Sequence, residues 1–204
     1  FIDGSTREET SSTVKTDVDQ SVGVGKKAVS KDYANNTIDW EVTVNSKRVL
    51  MKNTVITDKF ENLAGANKSA LQLMEDSLVL VANSEGVTAT LVQGQDYLLE
   101  KLAGDDEYLT GFVIRLIGSY ATTQAELTLT YKTKYNLEYQ PPASNGVVLR
   151  FDNSTVVTYV GSDDKKHTDG TQTATWVPVD YAKNGVKYGK YLKKDEPVAG
   201  AFSH

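Results

Sequence analysis

Apolar and polar residues alternate along Thr37–Asn45. Ile38, Trp40, Val42 and Val44 share one parity, and Asp39, Glu41 and Thr43 share the other. Successive side chains of a strand point to opposite faces, so this run predicts a half-buried β-strand. Further strand-like runs lie at Ser21–Ser30, Thr54–Phe60, Ser77–Ala82, Thr88–Val92, Phe112–Ile117, Ala125–Tyr135, Val147–Phe151, Thr155–Val160 and Thr171–Val179. Turn-forming stretches separate them: ANN, NSEG, GDDE, PPASNG and GSDDKKHTDG. Short strands with this punctuation predict an all-β fold, a sandwich of two packed, mostly antiparallel sheets. The segment ANKSALQLMED (66–76) has room for one helical turn, and nothing longer is indicated.

The same parity test turns three polar residues toward the interior. Leu50, Thr54, Ile56, Asp58 and Phe60 fall together, which aims Asp58 inward. Val22, Val24, Lys26 and Ala28 fall together, so Lys26 points in and Lys27 out. Val147, Leu149, Phe151 and Asn153 fall together, which turns Asn153 inward as well. Any one of these also reads as a surface residue displaced by a slip, because a shift of one residue reverses every face. As a set they are chemically complementary, and an isolated buried charge is costly.

With 204 residues and 39% hydrophobic content, the chain can bury one good-sized core with some extra, or two small ones. A net charge of −5 argues against nucleic acid and anionic membranes as partners, and no apolar stretch is long enough to span a bilayer. The chain opens at Phe1 without an initiator Met or a signal peptide and reads as a fragment of something longer. It has no cysteine, so a secreted protein of this size must find stability elsewhere than in disulfides.

The two ends resemble each other. DVDQSVGVGKKAVSKD (17–32) is similar to PVDYAKNGVKYGKYLKKD (178–195). Asp19 and Asp180 are 161 positions apart, as are Lys26 and Lys187. This predicts one repeat followed by the start of the next. Residues 1–19 are then the tail of a preceding unit or a borrowed strand, 20–180 the domain, and 181–204 the start of the next repeat or a linker.

The elements TIDWEVTVN, NTVITDKF, GSYATTQAELTLTYKTKY and FDNSTVVTY, in this order, resemble the isopeptide-containing Ig-like domain of Gram-positive surface adhesins. The resemblance is to the second-subdomain type of the collagen adhesins and its stalk relatives, and it covers about residues 20–160. It implies an Ig-like, Greek-key-like sandwich in which a first-strand lysine bonds covalently to an asparagine before Ser or Thr on the last strand. KKA supplies Lys26, DNST supplies Asn153, and the strand ending TD supplies the acid, Asp58. Ala28 stands where the family pattern has glycine, and the adjacent lysines leave Lys26 and Lys27 both open.

The implied chemistry needs a dry site. Desolvation lowers the pKa of a lysine and raises that of an aspartic acid. A neutral Lys26 amine then attacks the Asn153 carboxamide, while a protonated Asp58 polarises the carbonyl and shuttles a proton to the departing nitrogen. Trp40 and Phe60 are candidates for the apolar surroundings. Such a bond closes a loop worth about 5 kcal/mol, by analogy with a disulfide.

Other signals carry less. GSDDKKHTDG and AGDDEY contain clustered acids without the alternating spacing of a calcium loop. His167 in a polar loop and His204 at the end are too few for a zinc or His-based catalytic site. GVGKK lacks the spacing of a phosphate loop, and the eleven tyrosines read as sandwich residues. The expectation is an extracellular, cell-wall-anchored stalk or spacer domain that needs no cofactor or metal and acts catalytically only once, on itself. Its expected partners are neighbouring domains of the same chain, with a host matrix protein reached through other domains. The alternative is a ligand-binding adhesin module for collagen or another matrix protein.

Overall fold

Eleven strands and a 3₁₀ turn at Gly118–Tyr120 are the regular elements that frame the described residues. The structure, a computed structural model, describes residues 19–60, 69–105, 109–136 and 148–178. The strands are β1 (Val24–Asp32), β2 (Thr37–Val44), β3 (Met51–Phe60), β4 (Leu71–Ser84), β5 (Val87–Thr90) and β6 (Tyr97–Ala103). They continue with β7 (Leu109–Leu116), β8 (Thr122–Thr123), β9 (Glu126–Tyr135), β10 (Val148–Val160) and β11 (Lys166–Pro178). One sheet runs β1-β2-β9-β4-β5 and the other β11-β10-β3-β7-β6, with β8 paired to β3. All the pairings between strands are antiparallel, and the two sheets form an Ig-like sandwich.

The parity expected for the early strands decides what fills the space between the sheets. Ile38, Trp40, Val42 and Val44 of β2 are all buried, facing Ile56, Phe60, Phe112 and Leu149 of the other sheet within one core. Trp40 also places its indole N–H in the core, where it donates to Thr133 Oγ1 at 2.8 Å. That bond satisfies a donor whose burial is otherwise costly.

Several expectations are corrected. Leu71–Asp76, expected to hold a helical turn, is the first part of β4, and the 3₁₀ turn lies elsewhere. Of the runs expected at Val147–Phe151 and Thr155–Val160, the described residues from Val148 onward are parts of one strand, β10, because Asn153 and Ser154 pair through on both sides. The inward parity expected to reach Leu50 stops at Thr54. Asn53 has a φ of 52°, and beyond that irregular residue it is Met51 that is fully buried. His167 belongs to β11, where its ring stacks on Tyr159 with centroids 5.5 Å apart. Strands β6 and β8 carried no sequence signal of their own. Residues 1–18 and 179–204, and with them the second half of the repeat and Lys187, lie outside the described residues. Among the described residues no helix is long and apolar enough to cross a membrane.

Candidate cross-linking site between the sheets

Strand β1 forms an edge of the first sheet, and its pairing with β2 puts Lys26 opposite Val42 and Lys27 opposite Glu41. Parity then separates the two lysines. The Lys26 side chain has no exposed surface, whereas Lys27 is 63% exposed and ion-paired with Glu41 at 2.7 Å. The alternation ends one turn of the pleat later. A bulge between Ala28 and Ser30 leaves Val29 unpaired and exposed.

Asp58 and Asn153 come from the opposite sheet. Asp58 pairs with Thr155 on one side and Phe112 on the other, and Asn153 pairs with Phe60. Asp58 and Thr155 are fully buried, and Asn153 is 1% exposed. The structure thus brings all three sequence-selected residues, Lys26, Asp58 and Asn153, to one place between the sheets.

The contacts there are short and directional. Lys26 Nζ donates to Asp58 Oδ2 at 2.5 Å and to Thr155 Oγ1 at 3.0 Å. Thr155 Oγ1 in turn donates to Asp58 Oδ2 at 2.8 Å. The Tyr131 hydroxyl donates to Asp58 Oδ1 at 2.8 Å and accepts from Lys26 Nζ at 3.0 Å and from Asn153 Nδ2 at 2.7 Å. Lys26 Nζ and Asn153 Nδ2 therefore share one neighbour, and their separation cannot exceed those two distances combined. One polar atom is left over: Asn153 Oδ1 is buried and has no hydrogen-bond partner.

Aromatic rings wall the cluster. Lys26 Nζ lies 5.6 Å from the centre of the Trp40 ring and 5.5 Å from that of Tyr131. Phe112 meets Tyr131 edge-on at 5.1 Å and Phe60 at 6.2 Å. Where the edge strands β1 and β11 meet, Thr173 Oγ1 of β11 donates to the Lys26 carbonyl at 2.9 Å. Burial lowers the Lys26 pKa, and the Asp58 carboxylate opposes that shift. Burial also raises the Tyr131 pKa well above its ordinary value, and the Asp58 charge adds to the effect.

Tyr131 and Thr155 are the members of the cluster that no sequence argument assigned a role. A signal was present for both. Tyr131 shares parity with Leu127, Leu129 and Thr133 on β9, and Thr155 shares it with Phe151, Asn153 and Val157 on β10. Both are polar groups on a buried parity, the same pattern that singled out Asp58. Asp39, on the other parity, binds Ser30 and Lys132 at the surface. Among the described residues no group of three His, Cys, Asp or Glu is placed to hold a metal ion.

The fold has relatives among solved structures. The collagen-binding subdomain of the Enterococcus faecalis surface protein ACE superposes with a TM-score of 0.53 at 14% identity, over 74% of this chain and 94% of that one. The collagen-binding domain of a Staphylococcus aureus adhesin gives 0.51 at 15% identity, over 78% of this chain and 99% of that one. The collagen-binding domain of the Erysipelothrix rhusiopathiae surface protein RspB gives 0.51 at 13% identity, over 76% of this chain and 44% of that one. At these identities the likeness establishes a shared fold. No protein-family model and no curated protein matches the chain.

Proposed function

We propose that the chain is a structural stalk or spacer domain of a Gram-positive, cell-wall-anchored surface adhesin, stapled by an isopeptide bond between Lys26 and Asn153 with Asp58 as the acid and base. The observation that carries this reading is the convergence of the three residues, from opposite sheets, in a site sealed from water.

Several contacts support the reaction. The short contact between Lys26 Nζ and Asp58 Oδ2 is a path for one proton, which leaves a neutral amine and a neutral acid. Burial lowers the Lys26 pKa, which favours that transfer. The amine adds to Asn153 Cγ. Asn153 Oδ1 is buried without a partner, and on this reading the Asp58 carboxyl turns its proton toward it and stabilises the negative charge that develops there. The surplus proton on the attacking nitrogen passes to Nδ2, the Cγ–Nδ2 bond breaks, and ammonia leaves. Overall an ammonium and a carboxamide become a secondary amide and an ammonium ion.

Mechanically, the bond would tie an edge strand of one sheet to an inner strand of the other. Asn153 lies on β10, the penultimate of the described strands, so β11 and the rest of β10 fall outside the closed loop. A pull on both ends can peel those residues away and then meets a covalent stop. The deciding experiment is an intact-mass measurement. The purified chain should be lighter than its sequence by one ammonia, and a chain of full sequence mass rejects the bond.

The fold likeness to collagen-binding domains supports a second reading, a ligand-binding adhesin module. Surface binding assays against collagen and other matrix proteins separate the two readings. Saturable micromolar binding by this fragment favours the module, and a stalk gives none.

A further inference from the structure

We propose that the Tyr131 hydroxyl is the proton relay of the cross-linking reaction, carrying the proton from the attacking nitrogen to the leaving nitrogen. The inference rests on the Lys26–Asn153 bond proposed above and concerns the route of its last proton.

A phenol oxygen has one hydrogen to give and two lone pairs to accept with. All three are used here. The hydrogen goes to Asp58 Oδ1, and the lone pairs take Lys26 Nζ at 3.0 Å and Asn153 Nδ2 at 2.7 Å. One oxygen therefore touches both nitrogens that exchange places on Asn153 Cγ. The hydrogen bonds lead from Asp58 to Asn153 only through that oxygen, since Asp58 Oδ2 is taken by Lys26 and Thr155. Tyr131 is 2% exposed, on a strand at the middle of its sheet, so water has little access to compete for the transfer. Its raised pKa keeps the phenol protonated and able to act in both directions.

The step balances as follows. Asp58 takes one proton from the Lys26 ammonium. The neutral amine adds to Cγ, and the carbonyl electron pair moves to Oδ1, toward which the Asp58 carboxyl turns its proton. Nζ now holds a surplus proton, and Nδ2, no longer conjugated, gains a basic lone pair. The Tyr131 oxygen accepts the proton from Nζ while its own proton rotates away from Asp58 and passes to Nδ2. The Cγ–Nδ2 bond breaks with its electrons on nitrogen, the carbonyl re-forms, and the departing ammonia takes the proton from Asp58. Tyr131 ends as it began.

The test follows cross-linking in the full chain. Unreacted chain, recovered in urea, is refolded by dilution, quenched at intervals and weighed intact. Wild type should lose one ammonia and Asp58→Ala none. Tyr131→Phe keeps the ring that packs on Phe112 and removes only the hydroxyl. It should fold by circular dichroism and lose ammonia at least about tenfold more slowly. In mixtures of light and heavy water, the wild-type rate should curve with deuterium fraction, as two protons move together. The Tyr131→Phe rate should be linear, a change that a purely structural role would not produce. A slowing of less than tenfold, or a slow variant with wild-type curvature, overturns the relay and leaves the bond standing. A wild type that never loses ammonia overturns both. If Tyr131→Phe does not fold, difluorotyrosine placed at 131 decides: a rate that follows the phenol's acidity supports the relay, and an unchanged rate overturns it.

Discussion

Lys26 and Asp58 meet from opposite sheets, nitrogen to carboxylate oxygen at 2.5 Å, and neither side chain has any exposed surface. A buried ion pair is a weak source of stability, because desolvating both charges offsets most of their attraction. The proposed cross-link accounts for its presence at the centre of an apolar sandwich.

The choice of lysine is testable directly. Lys26→Ala should restore the full sequence mass. Lys27→Ala should leave the chain one ammonia light, because Lys27 faces solvent beside Glu41. Recovery of full mass in Lys27→Ala alone would make Lys27 the nucleophile and overturn the choice of Lys26.

Asp58→Ala should fold, stay at full mass and melt at a lower temperature than wild type. It loses the loop closure worth about 5 kcal/mol. Asp39→Ala, at the surface beside Lys132, should keep the bond and change stability by less than about 0.5 kcal/mol. Differential scanning calorimetry with intact mass on the same samples checks both.

Alkaline pH should stabilise the uncross-linked chain. In Asn153→Ala the bond cannot form, yet Lys26 remains buried. Burial holds the folded amine's pKa below the 10.5 of the unfolded chain, so between those values the folded state binds fewer protons. Stability then rises with pH across that window, and below it the full penalty of the buried charge is present. Urea midpoints measured against pH should show this rise. Adding Lys26→Met should abolish it, and a rise that survives that substitution assigns the effect elsewhere.

Gly111→Ala should be strongly destabilising, by roughly 3 kcal/mol or more. The glycine pairs with Lys59 at a φ of 151°, and a Cβ there would come within 2.0 Å of the Asp58 carbonyl oxygen. The displaced backbone carries the Asp58 side chain, so cross-linking should slow as well. A melting temperature within a few degrees of wild type would show that the β3–β7 ladder has more slack than its geometry indicates.

Copies of the chain joined in tandem and pulled from both ends should first release β11 and the part of β10 after Asn153, then stop. Lys26→Ala should convert that stop into full unfolding, with about 400 Å more extension at roughly 3.3–3.6 Å per residue. Single-molecule force traces read both lengths.

The alternation in Ile38–Val44 was enough to place Trp40 in the core, since a strand with one dry face allows no other register. Parity also turned Lys26, Asp58 and Asn153 inward, because each sits among apolar neighbours on its own strand. The sequence could not show where strands are interrupted. Asn53 reverses the face that Leu50 was expected to occupy, and the bulge at Val29 ends the pattern on β1, both through backbone geometry that no side-chain period records. Nor could it show which strands face one another. Lys26 and Asn153 lie 127 positions apart in the chain. They share the Tyr131 hydroxyl only because the sheets pack with β1, β9 and β10 around one point. Local alternation depends on each strand's own neighbours and can be read along the chain. Tyr131's place between two nitrogens depends on packing one sheet against the other, and that exists only in three dimensions.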